Sequence, residues 1–197
     1  MAKRKAMLPQ WPTISAHIVL YHGCTRLSAL RIRLGVNPQA GRAATDFGLG
    51  FYTTTRIDQA IDWARRQFLL TYPNGIDLRG LDAPAVVKFR VPLDALAALH
   101  TLAFVRGESA HPSFWSFVTH CRASNSHEHP SRPKPGDWYD GVSGPVAKLP
   151  LARCEVLGTY NGHEWSGMDQ FSFHTPAAAA VLNAIIETAS ASSTSSE

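Results

Sequence analysis

Two short β-prone runs that break at glycine set the terms on which this chain can fold. Ile18-Val19-Leu20-Tyr21 is β-branched and aromatic, and it stops at His22-Gly23. Further on, Asp46-Phe47-Gly48-Leu49-Gly50 opens into Phe51-Tyr52 and three threonines, Thr53 to Thr55. A glycine at a strand end marks close approach by a second backbone or a ligand, because no Cβ obstructs it. Each run therefore reads as a strand carrying one polar ring, His22 or Tyr52, into a cleft. Alternation puts Phe51 and Tyr52 on opposite faces, so one can be core while the other lines the cleft.

The rest of the chain continues in short segments. Ala85, Val87, Phe89 and Val91 alternate with Lys88 and Arg90, which predicts a strand with one side in water. Further strands are expected at Tyr139–Val146, Cys154–Tyr160 and Phe171–His174. Thr55-Arg56-Ile57-Asp58 has the pattern of a capping box before a helix to about Leu70, with Ile57, Ala60, Ile61, Ala64 and Phe68 on one stripe. Pro73-Asn74-Gly75 ends it. Leu93–Leu99 predicts a helical turn, and Ser113–Cys121 a helix burying Phe114, Phe117 and Val118 beside Trp115. Thr175-Pro176 opens a last helix with a stripe of Val181, Leu182, Ile185 and Ile186. The arginine-rich stretch from Gly23 to Asp46, with Gly35, Pro38 and Gly41, reads as a long functional loop. Short strands spread among a few helices give an α+β class rather than a doubly wound sheet.

Length and composition narrow the function classes. A chain of 197 residues holds one domain with a full core. We expect a flexible lead over 1–16, one domain over 17–188 and a disordered Ser-rich tail over 189–197. Hydrophobic content of 45% against 17% charged residues excludes a disordered chain. The net charge of +4 suits a polyanionic ligand, a dinucleotide or RNA, and equally an ordinary solvated surface. Cys24, Cys121 and Cys154 are odd in number and widely spaced, which points to a reducing compartment and a cytoplasmic location. No apolar stretch approaches the ~20 residues that span a bilayer, so no membrane role is expected. Delivery into a target cell without a signal peptide would leave the same pattern.

The two opening motifs, followed in order by Trp138-Tyr139-Asp140-Gly141-Val142-Ser143-Gly144 and Asp169-Gln170-Phe171-Ser172-Phe173-His174-Thr175, resemble the ADP-ribosyltransferase superfamily on its poly(ADP-ribose) polymerase side. Within it, the order is similar to a bacterial family of unassigned function. The resemblance runs from about Ile18 to about Ile186. It implies two packed antiparallel sheets with a central NAD cleft and a few flanking helices. It also implies NAD as co-substrate, with His22 fixing a ribose hydroxyl and the Gly23 backbone meeting the nicotinamide carboxamide. Tyr52, beside Phe51, would stack on the nicotinamide through its ring face rather than its hydroxyl. Gln170 stands where the polymerases carry a glutamate, so mono-transfer to a protein or nucleic-acid acceptor is expected rather than chain elongation. On sequence alone, a glutamate at 170 would add a favourable charge and keep the enzyme active. A bacterial effector of this kind would have an antitoxin or immunity partner.

Alternatives stay open at this stage. In isolation His22 reads as a partly buried core histidine, a reading that Gly23 and the downstream motifs turn toward the cleft. Tyr52 has the alternative of a core aromatic beside Phe51, and Asp140 either supports the cofactor or caps its Gly-rich turn. The same residues would fit an NAD glycohydrolase, or an NAD-binding module without turnover. His127-Glu128-His129 near Cys121 lacks a fourth ligand at the usual spacing, so no metal is expected. Gly48-Leu49-Gly50 precedes a strand and lacks the third glycine of a dinucleotide fingerprint.

Overall fold

The computed structural model describes residues 16–42, 44–105, 112–124, 139–147, 164–183 and 186–189. Its elements begin with β1 (His17–Thr25), α1 (Arg26–Leu34), β2 (Phe51–Thr53), α2 (Ile57–Thr71) and β3 (Pro84–Pro92). Then follow α3 (Leu93–Ala97), β4 (Thr101–Ala103), α4 (Pro112–Ser124), β5 (Gly141–Ala147), β6 (Glu164–Phe173), α5 (Pro176–Asn183) and β7 (Ile186–Ala189). The class is α+β, with two sheets in the orders β1-β3-β7 and β2-β6-β5-β4. Neighbours pair antiparallel except β4 and β5, which run parallel and so depart from the all-antiparallel expectation.

One apolar cluster joins the two sheets. Leu20 and Cys24 from β1 and Val87, Phe89 and Val91 from β3 pack with Phe51 of β2 and Phe173 of β6. Burying a side chain such as Phe89, fully removed from water, is worth roughly 2 kcal/mol. The far face of the first sheet is covered by α2, through Ala60 and Ala64 against Val86 and Tyr21. Val86 is therefore buried, while Arg90 on the same face is exposed and Lys88 half-exposed, so the predicted wet side of β3 holds beyond the part that α2 covers. The far face of the second sheet meets α4, where Phe114, Trp115, Phe117 and Val118 are all buried around Phe47.

Three sequence expectations change at element ends. The arginine-rich stretch is not all loop: α1 occupies its first part, capped by Thr25 and by Asp82, whose carboxylate accepts from Leu27 N–H at 3.0 Å. The expected capping box does not form before α2, because the Thr55 side chain turns instead to Asp169, and Ile57 is exposed. Thr175 does cap α5, accepting from Ala178 N–H at 3.2 Å, but Ile186 starts β7 instead of extending the helix stripe. Cys154–Tyr160, His127–His129, the 1–15 lead and the tail beyond Ala189 lie outside the described residues. No helix among the described residues is long and apolar enough to cross a membrane.

Candidate functional site

Among the described residues the two sheets meet edge to edge at one backbone bridge, between Tyr21 and Thr54, and there the strands part. Tyr21 N–H donates to Thr54 O at 2.7 Å and Thr54 N–H returns a bond to Tyr21 O at 2.9 Å. Both main-chain groups of Tyr21 thus point away from β3, and strand alternation gives Gly23 the same direction. One more step of this antiparallel ladder would join Gly23 to Tyr52. It does not form, because the Tyr52 carbonyl is taken at 2.6 Å by the His22 ring. Gly23 N–H and C=O therefore have no partner among the described residues. An unpaired strand edge of this kind is a template for an incoming amide.

Gly23 serves a second purpose on its Cα side. A Cβ there would lie 2.0 Å from the Ala60 carbonyl oxygen and 2.8 Å from Ala64 N, so only glycine lets α2 seat against β1. The close backbone approach expected at Gly23 is that of α2.

His22 is placed by three contacts. Its backbone sits in the β1–β3 ladder, its ring stacks on Phe51 with centroids 4.3 Å apart and planes 26° apart, and Nδ1 faces the Tyr52 carbonyl. A carbonyl only accepts, so Nδ1 carries the proton and Nε2 of the neutral ring is a bare acceptor. Burial holds the His22 pKa below the ordinary 6.5, partly opposed by the bond to Tyr52. Nε2 has no partner among the described residues. A donor hydroxyl is what this atom can take. Because the folded pKa is depressed, the neutral ring and its contribution to stability are intact above 6.5, and both are lost as pH falls from there through the folded value. We expect affinity for a hydroxyl-bearing ligand to stay flat from about pH 8 to 6.5 and to fall only in more acid solution, as a calorimetric pH series would show. A midpoint above 6.5 would mean that the ring is not desolvated. Cys24 nearby is no nucleophile: burial, reinforced by Asp82, pushes its thiol up to about 12.

Phe51 is core and serves as the platform under His22; a second, edge-on contact joins it to Phe89 at 5.7 Å. Tyr52 faces the other way, its ring 6.5 Å from that of Phe47. Its hydroxyl is fully engaged, receiving Phe47 N–H at 3.0 Å, donating to Gly48 O at 2.7 Å and meeting Thr45 Oγ1 at 2.8 Å. Burial raises its pKa far above the usual phenol value, so it stays protonated. This corrects the sequence expectation that only the ring face matters: the hydroxyl clasps the turn leading into β2. Tyr52→Phe should therefore cost about 1–3 kcal/mol in a urea titration, since Phe47 N–H loses its partner and Gly48 C=O keeps only the Thr45 hydroxyl. A phenylalanine variant of unchanged stability would sink the clasp.

Gln170 lies on β6 two residues from Ser172, the register partner of Tyr52, so Gln170 and Tyr52 share one face of the sheet. It is only 8% exposed. Its Nε2 donates to Asp46 Oδ2 at 2.7 Å and to Pro145 O at 2.9 Å. Its Oε1 accepts from no described residue and is not sealed from solvent. Asp46 in turn receives Ala147 N–H at 2.8 Å and the Arg122 guanidinium, through Nε at 2.9 Å and through Nη2.

Two further carboxylates are structural. Asp169 accepts from Thr54 Oγ1, Thr55 N–H and Thr55 Oγ1, and so fixes the turn between β2 and α2. Asp140, expected at the cofactor, receives His100 N–H at 2.9 Å on one oxygen and the Thr175 hydroxyl on the other. It ties the starts of β4, β5 and α5 together, and the Gly-rich turn expected for it to cap is part of strand β5 instead. The fold thus assembles His22, Gly23, Phe51 and Tyr52 at the strand junction, adds Gln170 on the Tyr52 face, and leaves Asp140 in a separate network. Two surface hollows, of about 250 and 330 Å³, are lined by other residues, among them Leu96, Thr101 and Phe171 in one and Val36, Pro38 and Pro176 in the other.

A family model described as "Protein of unknown function (DUF3990)" matches residues 18–162. The chain belongs to that family. No curated protein and no solved structure matches it. The DUF3990 match takes in His22, Gly23, Asp46, Tyr52, Arg122 and Asp140 and stops before Gln170. Asp46 and Arg122 are the polar residues that sequence reasoning missed. Asp46 closes the arginine-rich stretch without a legible role, and its partners are 76 to 124 residues away, so no local spacing signals them.

Proposed function

We propose that this DUF3990 protein is an NAD-dependent mono-ADP-ribosyltransferase that modifies a macromolecular acceptor, protein or nucleic acid. The observation that supports it most is the unpaired Gly23 edge beside an imidazole whose free nitrogen only accepts. A carboxamide carries one acceptor and a pair of donor hydrogens, the complement of a strand edge offering N–H and C=O. The nicotinamide carboxamide would bond there, and a ribose hydroxyl would donate to His22 Nε2.

With the dinucleotide held at those two points, the ribosyl C1′–N bond to nicotinamide breaks. Nicotinamide leaves neutral with the bonding pair, so no acid is required. The acceptor nucleophile attacks C1′, and its proton passes to water. The charge to be stabilised is positive and sits on the ribose, where Gln170 Oε1 would supply a fixed partial negative charge. A glutamine has no basic oxygen to activate a sugar hydroxyl, which favours a single transfer over polymer growth.

Labelled NAD incubated with pure protein and a cell lysate, digested separately with protease and RNase, tests the reading. Label on a macromolecule, with nicotinamide released in step, supports transfer, and the digestion names the acceptor class. Free ADP-ribose alone would make the protein a glycohydrolase. Bound NAD without nicotinamide release would leave only a binding module and overturn the enzyme.

A further inference from the structure

We infer that Asp46 is the positioning residue of the site, acting on the reacting ribose through Gln170; this rests on the transferase reading above. Asp46 is 8% exposed, and its oxygens receive Arg122, Ala147 N–H and Gln170 Nε2. The Arg122 pair by itself would explain Asp46 as a brace between α4 and the turn before β2. The bond to Gln170 exceeds what a brace needs. Asp46 Oδ2 and Pro145 O can only accept, and both face the same end of the Gln170 side chain. The amide flip is therefore decided: NH2 inward, Oε1 outward and unbonded. The negative charge at 2.7 Å also polarises the amide, drawing electron density onto Oε1 in a setting of low dielectric. Asp46 thus lends an uncharged side chain part of the character of a carboxylate. It likewise accounts for glutamine at 170, since a second carboxylate would face the first.

A double-mutant cycle on nicotinamide release, using Asp46→Asn, Gln170→Ala and the pair together, tests this in the full chain. Asp46→Asn alone should lower kcat on the order of tenfold with KM for NAD little changed. In the Gln170→Ala background it should lower kcat no further, because its only route to the ribose is gone. Losses that multiply across the cycle would make Asp46 a structural brace and overturn the inference. Wild-type protein that releases no nicotinamide would overturn the transferase reading itself, and Asp46 with it, so the two failures look different. Should Asp46→Asn fail to fold, the side-chain amide of Gln170 in the wild type decides, its NMR signals assigned by their loss in Gln170→Ala. One downfield, slowly exchanging Nε2 proton that shifts when NAD is added supports the inference. A fast-exchanging pair indifferent to NAD overturns it.

Discussion

Gly23→Ala will strip the protein of much of its stability, by about 3 kcal/mol or more. Added bulk in a packed interior costs about 1–3 kcal/mol when side chains can turn aside. Here the added methyl meets main chain, the Ala60 carbonyl at 2.0 Å and Ala64 N at 2.8 Å, and neither can rotate away. The whole of α2 would have to lift from β1, uncovering Val86 and Tyr21. With a total stability of about 5–15 kcal/mol, such a loss leaves a minor margin or none. Gly141→Ala is the control: its Cβ would find Ser172 O at 3.3 Å and Thr101 Cγ2 at 3.7 Å, contacts that small adjustments relieve. Chemical denaturation of the two variants should separate them clearly. Equal midpoints would mean that α2 does not sit on Gly23 as described.

Gln170→Glu should be worse than Gln170→Ala near neutral pH, the reverse of what the sequence suggests. Where Gln170 Nε2 donates to Asp46 at 2.7 Å and to Pro145 O at 2.9 Å, the variant sets a carboxylate oxygen against two acceptors. Alanine forfeits those two bonds and leaves a small cavity; glutamate adds a buried like-charge contact, for a total of about 3 kcal/mol. The pH dependence identifies the cause. Asp46 raises the folded pKa of the introduced carboxyl above its unfolded value of about 4.3, so in that interval the folded state holds the extra proton. Stability of Gln170→Glu relative to wild type should therefore rise as pH falls from about 8 toward 5, because the introduced group, once protonated, donates to Asp46. Urea titrations at the two ends of that range measure it. A variant as stable and active as wild type at pH 8 would mean that Gln170 and Asp46 are not in contact.

What could be read from the sequence is what short-range chemistry decides. The β-prone start of β1, the stripe of α4 and the Thr175-Pro176 start of α5 each depend on residues within one or two turns, whereas β1 does not stop at His22-Gly23 but pairs with β3 as far as Thr25. The helix α1 escaped although Thr25 caps it locally, because no acidic residue marks its first turn and Leu27, Leu30 and Leu34 are exposed, so no apolar stripe signals it. Its second cap, Asp82, lies 55 residues along. The opposite facing of Phe51 and Tyr52 was legible from alternation, yet the role of the Tyr52 hydroxyl depends on a turn that only the folded chain closes. Asp46 shows the limit most plainly. Its environment is built from α4, β5 and β6, and a lone aspartate before a Phe-Gly pair gives no sign of them.

The strand junction at Gly23 is most directly tested by calorimetry with NAD and with its analogue carrying nicotinic acid in place of nicotinamide. The analogue has no N–H for the Gly23 carbonyl and puts a negative charge against that oxygen. We predict that NAD binds at least about tenfold more tightly than the analogue, a difference of about 1.4 kcal/mol. His22→Ala should weaken NAD by at least roughly two- to twelve-fold, since it removes a hydroxyl contact and, by freeing the Tyr52 carbonyl, lets Tyr52 compete for the Gly23 edge. Equal affinities for the two dinucleotides, or tighter binding of the analogue, would contradict the assignment of the Gly23 edge to a carboxamide.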